Sequence, residues 1–385
     1  MRTSGPWNGA RAKTGMGDMR AVPAGSQFRV ALFTSARSWR GSCVSLANIA
    51  AGLITRGHEA VLLTGEEAIA ETARSRGIPA QALPTKNTGW REVQALRRAI
   101  RDFKTDLLVA DRPRDLRLGA WAAAAESTQL VYRYNVSRAR PPSDLVTRLA
   151  HQRVACTVFR TRAGAERVLK AAPFMRRRPW RVITGGVDTA TFYPDPAAGQ
   201  SFRQHHAFGD RPLLLAVGAL MPEKRYPEMF DIVARLSTPV TLLLCGEGKL
   251  EPELRALAAE RRLDVRFLGM LPPAELRAVF AAASVFIHTC AVETFGLSVA
   301  EAMACGRPVM VSEGGGLVEV VANAGVLVPP DDHAGFVSRL DSMLQDRPAR
   351  ETLGQAARAR MLDLFSVEHM VEEYERLLVE VVEPA

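Results

Sequence analysis

Residues 284–312 read SVFIHTCAVETFGLSVAEAMACGRPVMVS. A short apolar run, Val285–His288, leads into a loop holding Glu293, then a helix-length run over Gly296–Cys305, then apolar residues again at Pro308–Val311. Strand, helix and strand in so short a stretch make one parallel crossover unit. The same alternation extends both ways. Strands are expected at Leu213–Val217, Val240–Cys245, Val265–Leu268 and Val326–Val328, with helices at Tyr226–Leu236, Glu251–Arg261 and Ala274–Ala282. An earlier series starts at Phe28. Its strands fall at Phe28–Thr34, Glu59–Thr64, Ile78–Leu83, Asp106–Ala110, Gln129–Tyr134, Val154–Phe159 and Trp180–Thr184, with helices including Ser42–Arg56 and Trp90–Phe103. Between the two series, Gly185–Phe208 carries paired glycines and prolines and breaks the rhythm. The chain therefore reads as α/β, two doubly wound parallel-sheet domains facing a cleft. The expected division is 27–190, a linker at 191–210, 211–365, and a last helix over 366–385 that crosses back to the first domain. Residues 1–26, poor in acids and without a continuous apolar core, are expected to be a disordered extension, with Met16 or Met19 as alternative starts.

Composition narrows the class. The chain has 385 residues, 47% of them hydrophobic, enough for two cores. No apolar run approaches the ~18 residues of a membrane span. Five cysteines, Cys43, Cys156, Cys245, Cys290 and Cys305, are odd in number and scattered through apolar runs. They read as buried thiols in a reducing cytosol rather than as a disulfide framework. The net charge of +9 is uneven: Arg133 to Arg181 contain thirteen Lys or Arg against Asp144 and Glu166. Such a cluster suits an anionic partner or a solvated face. No recognition motif or stacking array accompanies it, so nucleic acid is not expected. Arg176, Arg177 and Arg178, flanked by Phe174, Met175 and Trp180, suit contact with an anionic bilayer surface.

Glu293 and Glu301 stand eight positions apart, one in a loop and one inside the following helix. They are too far apart to share a proton. Instead they anchor two ends of one ligand, with unpaired N–H groups of the helix start between them as a phosphate site. Gly296 lets the backbone approach that phosphate. An elongated molecule with hydroxyls at both ends and phosphates between them fits; a nucleotide sugar is such a molecule.

The run Glu293–Val309 resembles the signature of retaining glycosyltransferases of family 4, which have the GT-B fold of two Rossmann-like domains. Val217-Gly-Ala-Leu-Met-Pro-Glu-Lys224, Leu244-Cys-Gly-Glu-Gly248, Phe267-Leu-Gly269, Glu313-Gly-Gly-Gly316 with Val318-Glu319, and Ile183–Pro194 are similar to further family segments in the same order. The resemblance implies transfer of a hexose-type sugar from a nucleotide-diphosphate sugar, UDP by default, to a glycan or lipid-linked acceptor in bacterial envelope or polysaccharide synthesis. It places the protein in the cytoplasm, peripheral on the inner face of the membrane. It gives Glu301 the ribose hydroxyls, Glu293 the transferred sugar, the N–H groups near Phe295, Gly296 and Leu297 the distal phosphate, and Lys224 the departing diphosphate. Gly218 and Gly246 border the donor in the same pattern, and Gly41 and Ser42 stand where the family has a Gly-rich turn.

Two positions depart from the family. An arginine usually partners the lysine where this chain has Ala219; Arg225 is the candidate substitute. A histidine usual after the Gln129–Tyr134 strand is absent. Asn135 stands there as a candidate for a sugar hydroxyl, with Arg133 or Arg138 for an anionic acceptor. No D-x-D element or histidine spacing offers a metal site, so neither metal nor cofactor is expected, while His288 is expected to line the cleft. These departures keep alive a family member that binds a nucleotide sugar but transfers poorly. A third reading is another GT-B enzyme such as an epimerase.

Overall fold

The computed structural model of the protein describes residues 26–84, 87–135 and 141–383. The first sheet holds β1 (Arg29–Thr34), β2 (Glu59–Thr64), β3 (Ala80–Ala82), β4 (Leu107–Ala110), β5 (Gln129–Tyr134), β6 (Cys156–Phe159) and β7 (Trp180–Val182). The second holds β8 (Leu213–Val217), β9 (Thr241–Cys245), β10 (Val265–Gly269), β11 (Val285–His288), β12 (Val309–Ser312) and β13 (Val326–Val328). Their orders are β3-β2-β1-β4-β5-β6-β7 and β10-β9-β8-β11-β12-β13. All pairings within both sheets are parallel. Helices cover both faces, so a central strand such as Leu213–Ala216 is buried throughout and reads as a continuous apolar run. All thirteen expected strands are present, with ends shifted by at most two residues.

Strand order reverses between β1 and β4 and between β8 and β11. At such a switch point the loops leaving adjacent strands splay apart and open a crevice. The loop after β8 leads to Lys224 and the loop after β11 to Glu293. Topology thus places both at the mouth of one crevice.

The segment 191–210, read as a linker, holds the helix Pro196–His205. Asp195 caps it, accepting from Ala198 N at 3.1 Å, and Pro196 starts it where a missing N–H costs nothing. Gly199 lets it press on the helix Pro273–Ala282: a Cβ there would lie 2.6 Å from the Ala281 carbonyl carbon. Most of the segment is therefore packed structure, with helix signals hidden among prolines. Two long helices, His333–Gln345 and Arg347–Leu364, complete the second layer.

The last helix, Val367–Val382, lies on the first domain and packs along the helix Gly41–Thr55. Met370, Val371, Tyr374, Leu377 and Leu378 join the core of β1, β2 and β4. Each such burial is worth about 1.5–3 kcal/mol. Glu375 ties the same helix to Arg56 at 2.5 Å and His58 at 3.1 Å. The two crossings between domains run side by side: Val187 N donates to Phe365 O at 2.8 Å, and Val367 N to Val187 O at 3.1 Å.

All five cysteines are buried and free. Among the described residues, no helix is long and apolar enough to cross a membrane.

Candidate functional site

Lys224 ends a 3-10 turn, Pro222–Lys224, and its ammonium makes an ion pair with Glu293 Oε1. Thr289 Oγ1 donates to Lys224 O at 3.0 Å, tying that turn to the end of β11. His288 Nε2 lies 3.3 Å from the same Glu293 oxygen. Burial alone would raise the Glu293 carboxyl; the His288 ring and the Lys224 charge outweigh it and hold the group well below the usual carboxylate range. Behind Glu293 the Gly-rich turn clamps the loop. Gly316 N donates to Glu293 O at 2.8 Å, and a Cβ on Gly315, whose φ is +54°, would stand 2.1 Å from that oxygen.

Gly296 caps the next helix, Leu297–Ala304, in a left-handed conformation with φ +79°, and no side chain satisfies the helix start. Glu301 lies one turn inside it. Its carboxylate has no hydrogen-bond or ion-pair partner among the described residues, and burial raises it to about 8. Gly218 and Gly246 pack backbone on backbone at the ends of β8 and β9: a Cβ on Gly246 would stand 2.0 Å from Gly218 O. Tyr226 Oη donates to Gly218 O at 3.1 Å.

From the other side, the helix Gly41–Thr55 aims its own start into the cleft. It too lacks a side-chain cap; Arg40 is its N-cap and Ser42 lies within the first turn. A Cβ on Gly41 would lie 3.7 Å from Leu297 Cδ2. Two uncapped helix starts therefore face each other beside the Lys224–Glu293 pair. Asn135 reaches the same place: its Oδ1 accepts from Thr294 Oγ1 at 3.4 Å and from Arg160 Nη1 at 3.3 Å.

Several expected side chains lie elsewhere. Arg225 is held by Glu228 at 3.0 Å and stands 3.8 Å from Asp331. Arg133 is no acceptor contact. It is 2% exposed, paired with Asp111 at 2.7 Å and bonded to Ser45 Oγ at 2.8 Å. Arg176 and Arg177 are exposed, but the apolar tip expected around them is not. Met175 is buried, Trp180 packs edge-on to Phe159, and Phe174 lies under Arg148 and against His151. Arg178 bonds Val154 O at 2.6 Å. Arg138 lies outside the described residues. The exposed apolar groups of the basic region are instead Leu145, Val146 and Leu149 on the helix Leu145–His151, and Trp121 with the Arg153 guanidinium over its ring at 4.6 Å.

Three residues make contacts that the sequence reading did not assign. Glu319 of the second domain accepts from Arg162 N at 2.8 Å and Ala163 N at 2.6 Å, capping a first-domain helix across the cleft. Arg160 is buried beneath Asn135. Cys290 lies with His288 and Glu293 so that their ligand atoms fall within 4.8 Å of one another. That is a potential metal group, although its carboxylate is already paired with Lys224. The spacing His288-x-Cys290-x-x-Glu293 was the available signal.

Two facing parallel-sheet domains with a cationic, helix-capped cleft define the GT-B class. The sequence matches "Glycosyltransferase Family 4" over residues 39–191 and "Glycosyl transferases group 1" over residues 199–360. The chain belongs to this family. It is 30% identical over 224 residues to alpha-maltose-1-phosphate synthase of Mycobacterium tuberculosis, covering 54% of this chain and 58% of that protein. It is 28% identical over 342 residues to a GDP-mannose-dependent alpha-(1-6)-phosphatidylinositol dimannoside mannosyltransferase of the same species, covering 84% and 88%. Anabaena HepE, solved in complex with UDP-glucose, superposes with a TM-score of 0.81 at 20% identity, covering 92% of this chain and all of that one.

Proposed function

We propose that the protein transfers a sugar, with retention of configuration, from a nucleoside-diphosphate sugar to a hydroxyl of a glycan or lipid-linked acceptor in cell-envelope or polysaccharide synthesis. The observation that carries this reading is the meeting of two uncapped helix starts beside Lys224 and Glu293, with Glu301, unpartnered among the described residues, on one of the two helices. Backbone N–H groups and an ammonium suit a diphosphate. A free carboxylate suits two ribose hydroxyls. Glu293 is kept ionised and fits the hydroxyls and developing positive charge of the transferred sugar.

In the proposed reaction the anomeric C–O bond breaks towards an oxocarbenium-like state. The acceptor oxygen bonds to the anomeric carbon on the same face, and its proton passes to the departing phosphate oxygen. Lys224 and the helix starts stabilise the charge gained by the leaving diphosphate. Asn135 binds a hydroxyl of the sugar. No metal is required, because Lys224 supplies the cation. UDP is the default nucleotide, in keeping with the UDP-glucose bound to HepE, while the mannosyltransferase relative is named for GDP-mannose.

A second reading is a nucleotide-sugar binder with weakened transfer. It is favoured by Ala219 together with the engagement of Arg225 by Glu228. The test is a thermal-shift screen of the full chain against UDP-, GDP- and ADP-sugars, followed by assay of released nucleotide with and without acceptors. Stabilisation by one class with acceptor-dependent release supports transfer. Stabilisation without release supports the binder, an isomerised donor points to an epimerase, and no stabilisation by any class removes the donor site.

A further inference from the structure

Arg160 stands at the end of β6, 7% exposed, with no ion-pair partner among the described residues. The nearby acids make their direct contacts elsewhere, Asp111 Oδ1 with Arg133 and Glu293 with Lys224, and attract the Arg160 charge only at longer range. Its guanidinium lies over the Phe295 ring at 4.8 Å and donates once, from Nη1 to Asn135. Among the described residues its Nε and Nη2 are buried without a hydrogen-bond partner. The fold makes room for this group: a Cβ on Gly185 would stand 2.1 Å from Arg160 Nη2. Arg167, one helix turn beyond Thr161–Gly164, also has its Nε buried and unpartnered. Both arginines line one interdomain pocket with Tyr134, Thr161, Glu293 and Thr294.

Buried polar groups in native proteins are overwhelmingly hydrogen-bonded, and an unpaired buried charge costs several kcal/mol. Burial, with the repulsion of Arg133, lowers Arg160 to about 9, which leaves it charged at neutral pH. The fold therefore holds a cation with two idle N–H donors, and a second arginine with one, at the sugar-transfer centre. A guanidinium fork of this kind matches an oxyanion.

We propose that Arg160 and Arg167 form an oxyanion site on the first-domain side of the cleft, which takes a phosphate-type group of the acceptor. Lys224 and the helix starts are assigned to the donor diphosphate, and Arg160 and Arg167 to a second anion in the same cleft. Assigning the anion to a substrate rests on the transfer reading; oxyanion binding itself does not, and is measured without any nucleotide sugar.

The experiment titrates the full-length protein with inorganic phosphate at constant ionic strength, with chloride as control, and follows the melting temperature. Wild type, Arg160→Met and Arg167→Gln are compared. Wild type is expected to be stabilised by millimolar phosphate. Arg160→Met removes a buried charge that has no direct ion-pair contact while keeping the volume, so it should melt at or above wild type and lose the response. Arg167→Gln should weaken the response several-fold, and it carries the test alone if Arg160→Met does not fold. An unchanged UDP response in the variants assigns the site to the acceptor; a UDP response lost in parallel, with uridine binding intact, assigns it to the donor diphosphate and overturns the acceptor assignment. The site is overturned if wild type responds no more to phosphate than to chloride. It is also overturned if Arg160→Met melts well below wild type yet responds as wild type does, which makes Arg160 structural.

Discussion

Lys224 and Glu293, 69 positions apart in the chain, form an ion pair at the mouth of the crevice between β8 and β11. The cation proposed for the leaving diphosphate and the anion proposed for the sugar neutralise each other in this pair. On the proposed reading, donor binding draws Lys224 towards phosphate while leaving Glu293 ionised. Lys224→Ala is expected to lower kcat by about 10²–10³-fold, the usual cost of losing one charge-stabilising group. Glu293 contributes stability above the ordinary carboxylate range, and that contribution is lost as pH falls below it. Acid melts of the two proteins check this: wild type should lose stability more steeply than Lys224→Ala on acidification.

Glu301 titrates in the opposite sense. Burial raises it to about 8, so the folded state holds its proton more tightly than the unfolded chain does. Its contribution is full below the ordinary glutamate range, near 4.5, and is lost as pH rises through about 8. Glu301→Gln should flatten the stability profile over that window. If Glu301 accepts the two ribose hydroxyls as proposed, UDP binding should tighten by up to tenfold per pH unit up to about 8 in wild type and stay flat in Glu301→Gln. Calorimetry at several pH values measures both.

The Glu319 carboxylate capping Arg162 N and Ala163 N links the two domains by a single side chain. Caps of this type are worth about 0.5–2 kcal/mol. Glu319→Ala should shift the free protein towards more open arrangements, read as a larger radius of gyration in solution scattering. Saturating nucleotide should restore the compact value. An unchanged radius without nucleotide would exclude Glu319 as a latch.

Contact with an anionic bilayer is now expected through Leu145, Val146, Leu149 and Trp121, and not through Trp180. Leu145 is 71% exposed, and Arg148 and Arg153 flank the patch. Leu145→Glu should reduce co-flotation with vesicles rich in anionic lipid at least several-fold, while Trp180→Ala should act only through stability. Equal flotation of wild type with neutral and anionic vesicles removes the proposal.

The strands, their parallel pairing and the loop-and-helix placing of Glu293 and Glu301 are legible along the chain. Apolar runs bounded by Gly and Pro report burial on both faces, a property local to each element. Helices hidden among prolines, such as Pro196–His205, were lost because breaker residues also begin helices. Which charges meet is not legible there and depends on how the chain folds back on itself. Tyr132, Arg133 and Tyr134 are all buried at the end of β5, so the alternation of a half-exposed strand gives no sign that Arg133 turns inward to Asp111. Arg160 reads as one more member of a basic run until Gly185, Asn135 and Phe295 from distant segments close around it. Pairings of this kind depend on where two separately folded sheets bring their loops, and no local periodicity encodes that distance.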